Sequence, residues 1–247
     1  MAGLPFALQL YSVRDHLAKD IPGTLAKVKE AGYDNVELAG FGDMTPEEYR
    51  KTLDAVGLKA ISCHIGLDEA YNAPERVAET CGVFGMRFAV VPHTSADDEA
   101  GWLDIARRLD KAGGALRERG IQLCYHNHAH EFTKYNGRHA FDLLFEETQP
   151  EHLGAEIDTF WVEYGGEDAA AYILKYEGRC PLLHVKDRAP EGADPIFAEV
   201  GQGTMDWDPI FAAAKTAGVQ WYIVEQDQCA IDSLEAVRIS ADYMKTR

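Results

Sequence analysis

Residues 121 to 132 read IQLCYHNHAHEF, so His126, His128, His130 and Glu131 follow directly on a short apolar run. Imidazoles and a carboxylate this close together can ligate a metal, pair a catalytic base with its orienting partner, or form a polar loop. The choice depends on what the rest of the chain brings to them. Three later apolar runs end in groups of the same kind: Glu156 and Asp158 in GAEID, His184 and Lys186 in PLLHVKD, Glu225 and Asp227 in QWYIVEQD. Asp158, His184 and Glu225 offer oxygen ligands and an imidazole. That mixture suits one divalent ion such as Mn²⁺, Mg²⁺, Co²⁺ or Zn²⁺ and disfavours thiolate-seeking metals. A fourth ligand is expected from HNHAHEF. Crowded carboxylates repel one another and take up protons unless a cation relieves them. The same cation would polarise a bound carbonyl and acidify the neighbouring C–H.

These groups can act together only if the fold gathers them. Eight β-rich runs alternate with longer helical patterns: FALQLY, NVELA, KAISCHI, FAVVPH, IQLCYHN, GAEID, PLLHVKD and QWYIVEQ. Between them lie amphipathic segments such as GTLAKVKEAG and TPEEYRKTLDAVG, ending in the Gly that favours a helix C-terminus. Eight unbroken β-then-α units predict a single-domain (β/α)8 barrel over 1–247. An open doubly wound sheet would carry a glycine-rich turn after its first strand, and LQLYSVRD has none.

In such a barrel the active site gathers at the C-terminal strand ends, and alternate side chains face the interior. In the fifth strand Ile121, Leu123 and Tyr125 form the helix-facing set, against Gln122, Cys124 and His126. Leu183 and Val185 oppose Leu182, His184 and Lys186, while Tyr222 and Val224 oppose Trp221, Ile223, Glu225 and Asp227. Gln9, Glu37, His64 and His93 extend the polar interior phase to the first four strands. One polar residue ending a strand is ordinarily loop-facing; eight strands doing so predict a polar pocket at the barrel mouth.

Composition narrows the partners. A net charge of −17 argues against nucleic acid and against an anionic membrane surface. The five cysteines form no CxxC pair and suit buried reduced thiols. No basic n-region precedes an apolar stretch in MAGLPFALQLYSVRD, and no apolar run approaches a membrane span. A cytoplasmic protein is expected, with a homo-oligomer left open.

The segments ALQLYSVRD, YHNHAHEF, EIDTFW, LLHVKD, GQGTMDW and IVEQD together resemble the sugar phosphate isomerase/epimerase superfamily, the xylose isomerase-like TIM barrels. The resemblance runs from about residue 6 to about 240, and YHNH places it nearest the inosose dehydratase branch. It implies one divalent metal, Mn²⁺ first, held by Glu, Asp, His and Glu from the fifth to eighth strands. Asp158, His184 and Glu225 match three of these positions. The family epimerases carry Glu where His126 stands; the resemblance to the inosose dehydratase group implies that a Glu beyond the paired histidines takes that role, so Glu131 is the expected fourth ligand, with His126 or His128 as alternatives. Lys186 is expected to reach a substrate hydroxyl or phosphate, or to pair with Glu156 or Asp158. His64, His93, His126 and His128 are the expected substrate contacts, although His64 and His93 could equally be hydrogen-bonded core histidines. GQGTMDW is expected to shape a loop over the pocket.

The chemistry so implied is isomerisation or epimerisation of a keto-sugar through a metal-stabilised enediolate, with Glu131 and Glu225 as both ligands and acid/base groups. A metal-dependent lyase begins with the same proton abstraction, and the extra histidines make it the alternative. A non-catalytic sugar-binding protein is a further possibility. An endonuclease IV-like phosphodiesterase would need more metal ligands and a basic groove, which the charge disfavours.

Overall fold

The computed structural model describes residues 4–247. Eight parallel strands close into a barrel: β1 (Phe6–Gln9), β2 (Asn35–Leu38), β3 (Lys59–His64), β4 (Phe88–Val91), β5 (Gln122–His126), β6 (Leu153–Asp158), β7 (Leu182–Val185) and β8 (Trp221–Val224). Every expected strand is present, in sequence order around the barrel, and β1 closes against β8 through Phe6 opposite Tyr222. No helix among the described residues is long and apolar enough to cross a membrane.

An outer layer follows the strands one by one: α1 (Ile21–Ala31), α2 (Pro46–Val56), α3 (Pro74–Phe84), α4 (Glu99–Arg117), α5 (Ala140–Glu146), α6 (Ala169–Lys175), α7 (Trp207–Ala217) and α8 (Ser233–Met244). Local chemistry sets their ends. Thr45 and Glu48 form a capping box before α2, whose Pro46 sits where no intrahelical N–H bond is lost. Gly57 then closes α2 at φ 75°, a left-handed conformation that costs a residue with a Cβ. At Gly113 the backbone of α4 presses so closely on His152 that a Cβ would collide with its carbonyl.

Strand alternation divides the apolar side chains into two cores. Leu123, Tyr125, Ala155, Ile157, Leu183, Val185, Tyr222 and Val224 pack outward against the helices. Ala7, Ile61, Phe88, Val90, Cys124, Leu182 and Ile223 plug the barrel interior. Above this plug the interior positions turn polar, as the phase argument requires. A register shift between Val36 and Glu37 lets Ile61 join the plug while Ser62 and His64 face the polar layer. His93 departs from the expected phase: Phe88 and Val90 put Pro92 on the interior side, and His93 enters from the loop after β4.

Candidate active site and metal centre

Four side chains converge at the barrel mouth, His126, Asp158 and His184 from β5, β6 and β7 and Glu225 from the residue just after β8. His126 Nε2 lies 3.3 Å from Asp158 Oδ2, and His184 Nδ1 lies 2.9 Å from Glu225 Oε2. All four residues are buried, and their ligand atoms lie within 4.8 Å of one another. Asp158 is fixed from two sides. Its Oδ1 accepts from the Trp161 amide, capping the short helix Thr159–Tyr164, and its own amide donates to Asn127 Oδ1 at 3.0 Å. That second bond explains the asparagine between the paired histidines of YHNH: it joins β5 to β6 directly beside the cluster.

A second layer lies below. His184 Nε2 faces Glu37 Oε1 at 2.9 Å and Glu156 Oε2 at 3.1 Å, and His64 Nε2 faces the same oxygens at 3.0 and 3.2 Å. Glu37 is held in place by Gln9 Nε2 at 2.7 Å and Ser62 Oγ at 2.6 Å. Thus the single ring of His184 spans both layers. Such a carboxylate behind a histidine fixes its tautomer and orientation for ligation by the other nitrogen.

Lys186 completes the mouth. Its buried ammonium lies 2.7 Å from Glu225, 3.0 Å from Asp158 and 3.0 Å from Asp227. The expected pairing with Asp158 is present, while Glu156 pairs instead with the two histidines.

Glu131 is where the structure corrects the sequence reading. The chain after β5 turns outward through a 3-10 turn, His130–Phe132, which carries Glu131 behind the strand. There Glu131 accepts from the Tyr125 hydroxyl and the His128 amide, both at 2.8 Å, and lies beside His130. Because Tyr125 belongs to the helix-facing set, Glu131 is part of the support behind β5 and does not join the four-donor cluster. His126, the alternative, holds the fifth-strand position.

The electrostatics follow from this crowding. Burial resists charge on His64, but Glu37 and Glu156 outweigh it and raise its pKa to about 10. Burial likewise opposes charge on Lys186, yet Asp158, Glu225 and Asp227 raise it further above its usual range. Glu225 is pushed well below the ordinary carboxylate range, chiefly by Lys186 and His184 against the effect of burial. Asp227 moves the opposite way, raised by burial and by repulsion from Glu225. His128 falls to about 2 through burial and the nearby His126 and Lys186, so its ring is neutral.

A cavity of about 670 Å³ opens above these groups, with His64, His93, His126, His128, Glu225 and Asp227 on its walls. The four expected histidine contacts therefore reach one cavity. At its rim the Arg14 guanidinium stacks on Tyr11 and donates to the Asp227 carbonyl. The glycine-rich stretch is tied down by one carboxylate: Asp187 accepts from the amides of Gly201, Gly203 and Met205 and from the Trp207 ring. A side chain at Gly203 would collide with Asp187, so the motif serves this loop geometry.

The sequence reading placed Glu37, Glu156 and Asp227 in the interior phase but gave none of them a part in the site. Their signal was there, in the polar ends of β2, β6 and β8. Arg14 carried no comparable signal, because it lies on the short helix Arg14–Leu17 outside the strand pattern.

Two imidazole nitrogens and two carboxylate oxygens at the mouth fit a divalent ion of the Zn²⁺, Mn²⁺ or Co²⁺ kind. The carboxylates behind His184 add the outer support such a site requires. Lys186 contacts two of the same oxygens, and Asp227 gives its ammonium a partner that the four-donor set does not use.

Residues 25–247 match the family model described as "Xylose isomerase-like TIM barrel". An inosose dehydratase of Clostridium perfringens is 25% identical over 218 residues, covering 81% of this chain and 69% of that protein. A sugar phosphate isomerase/epimerase structure from Parabacteroides distasonis is 26% identical with a TM-score of 0.86, over 99% of this chain and 94% of that one. The IOLI protein, solved with a binding zinc atom, shares the fold at 14% identity with a TM-score of 0.74, over 98% and 96% of the two chains.

Proposed function

This chain belongs to the xylose isomerase-like TIM barrel family, and we propose that its pocket removes a proton from the carbon beside a carbonyl in a small polyhydroxy ketone. The substrate class is a keto-sugar or a cyclitol-derived ketone. The observation that carries this reading is the double placement of Glu225, which lines the cavity and also belongs to the four-donor set. A divalent cation held by His126, Asp158, His184 and Glu225 would polarise the carbonyl and acidify the adjacent C–H.

The chain's own residues supply the rest. Glu225, kept ionised beside Lys186 and His184, accepts the proton. The buried Lys186 ammonium stands behind the cavity wall and holds the Glu225 and Asp158 carboxylates in their charged form. His128, neutral and on the cavity wall, hydrogen-bonds a substrate hydroxyl.

Elimination of water completes the reaction in our reading. The C–H pair moves into a new double bond, the β C–O bond breaks, and the departing hydroxide takes a proton and leaves as water. Asp227 faces the cavity beside Glu225 and is placed to donate that proton. Elimination moves ahead of the isomerisation expected from sequence because Glu131 turns away. Across from Glu225 stands the imidazole of His126 and not a second carboxylate. The inosose dehydratase likeness supports the same order. Isomerisation or epimerisation is the second reading, favoured by the Parabacteroides distasonis likeness.

A panel of ketoinositols, keto-sugars and 3-keto-glycosides, incubated with enzyme and Mn²⁺ in D₂O and followed by NMR, tests the proposal. Elimination should yield a product lighter by one water or alcohol. Isomerisation should yield an isobaric product, with solvent deuterium wherever the transferred proton exchanges. Failure of every compound to exchange or react would overturn the assignment.

A further inference from the structure

We propose that the barrel throat binds a second divalent cation beneath the mouth site, held by Glu37, His64, Glu156 and the Nε2 of His184. The four atoms alternate, nitrogen and oxygen, around a ring whose edges are 2.9, 3.0, 3.1 and 3.2 Å. Around a tetrahedral ion with ligands at 2.0–2.1 Å, neighbouring donors lie about 3.3 Å apart. The ring is therefore nearly the size that a four-coordinate zinc-type ion requires, and its imidazole and carboxylate donors suit that ion.

Hydrogen bonding alone leaves this arrangement short of protons. Each Nε2 carries at most one proton but faces two carboxylate oxygens, so four close N···O contacts share at most two protons. A cation at the centre engages all four atoms. The second oxygen of Glu156 is an independent sign: Oε1 is buried and has no partner, on a residue with no solvent exposure. Charge points the same way: Glu37 and Glu156 are two fully buried carboxylates that meet in the throat, and Lys186 pairs with Asp158, Glu225 and Asp227 but with neither of them. Among the described residues no lysine or arginine pairs with Glu37 or Glu156. His64 lines the cavity and is the one ligand of the four whose side chain keeps some exposure.

With both positions loaded, His184 would serve the mouth through Nδ1 and the throat through Nε2. Metal binding to such imidazoles is accompanied by proton release.

Chelator-stripped full-length protein is titrated with Zn²⁺, desalted and assayed for metal, with circular dichroism on every variant. Wild type should retain two equivalents and release protons as it loads. Glu37→Gln and Asp158→Ala should each retain one, by losing different ions. Should Glu37→Gln fail to fold, His64→Gln at the cavity edge serves instead and should also retain one. With Co²⁺, the intense visible absorption of a four-coordinate site should be lost or halved in that variant. A single equivalent in wild type, abolished by Asp158→Ala and unaffected by Glu37→Gln or His64→Gln, would overturn the throat site while leaving the mouth site standing. Two equivalents retained by both Glu37→Gln and His64→Gln would equally overturn it.

Discussion

Lys186 Nζ lies 2.7 Å from Glu225 Oε2, closer than to either of its other carboxylate partners. The same oxygen faces His184 Nδ1 at 2.9 Å, and Glu225 is a member of the four-donor set at the mouth. An ammonium and a divalent cation at the mouth would thus draw on the same carboxylate, and binding one would weaken the hold on the other. Asp227 lets the lysine yield without losing all its partners.

Replacing Lys186 with Met removes the competitor. Mn²⁺ or Zn²⁺ affinity, measured by calorimetry, should rise by about tenfold, or about 1.4 kcal/mol. Without metal the same variant leaves buried carboxylates unpaired, so its apo form should lose about 3–5 kcal/mol of stability. Added cation should restore most of the lost melting temperature. Unchanged affinity would mean that Lys186 and the metal do not share Glu225.

Glu131 gives a contrasting substitution. Glu131→Gln disturbs bonds to Tyr125 and to the His128 amide, so it should cost about 1–3 kcal/mol in denaturant unfolding. Its metal content should equal that of wild type. A ligand at this position would instead show itself as lost metal, the outcome expected for His126→Ala and Asp158→Ala.

The difference between Glu131 and Asp158 marks how far the sequence could be read. Strand phase located Asp158, His184 and Glu225 because a period of two leaves each side chain only one of two faces. The same rule exposed the polar ends of Glu37 and Glu156, although it could not say that they meet across the barrel. Such meetings depend on shear and on the shift between Val36 and Glu37, which no local pattern records. Glu131 lies five residues beyond His126, past the end of the strand, where phase no longer applies. The 3-10 turn that reverses its direction has no periodic signature in AHEF.

Asp142, far from the pocket, offers a stability measurement free of metal. Burial alone would raise its pKa, but the Lys175 ammonium and the hydroxyls of Tyr176 and Tyr172 hold it below its ordinary value. A depressed folded pKa means that the stabilisation is complete above the unfolded value of about 3.9 and fades as pH falls through the folded one. Asp142→Asn should therefore destabilise the protein by about 1–3 kcal/mol at pH 7. The gap between variant and wild type should close progressively below about pH 4. A gap that stays constant down to pH 2 would show that packing, not charge, makes the contribution.

The reaction itself is tested just beyond β8, where Glu225 and Asp227 both reach Lys186 and the cavity wall. Glu225→Gln removes the proton acceptor and weakens ligation, so turnover should fall by at least about 10²–10⁴-fold, the usual worth of a positioned acid/base group. Asp227→Asn leaves the four-donor set intact and should retain metal. In our assignment it slows departure of the leaving group and not C–H cleavage. The two variants should therefore respond differently to substrate deuterated beside the carbonyl. Where proton abstraction limits the wild-type rate, the primary isotope effect should shrink in Asp227→Asn as the later step becomes limiting. Exchange of that hydrogen with solvent should then run ahead of product formation. In Glu225→Gln both exchange and product should be lost together. Equal loss of exchange and product in Asp227→Asn, with metal retained, would place Asp227 in proton abstraction and return the pocket to a two-carboxylate mechanism of the epimerising kind.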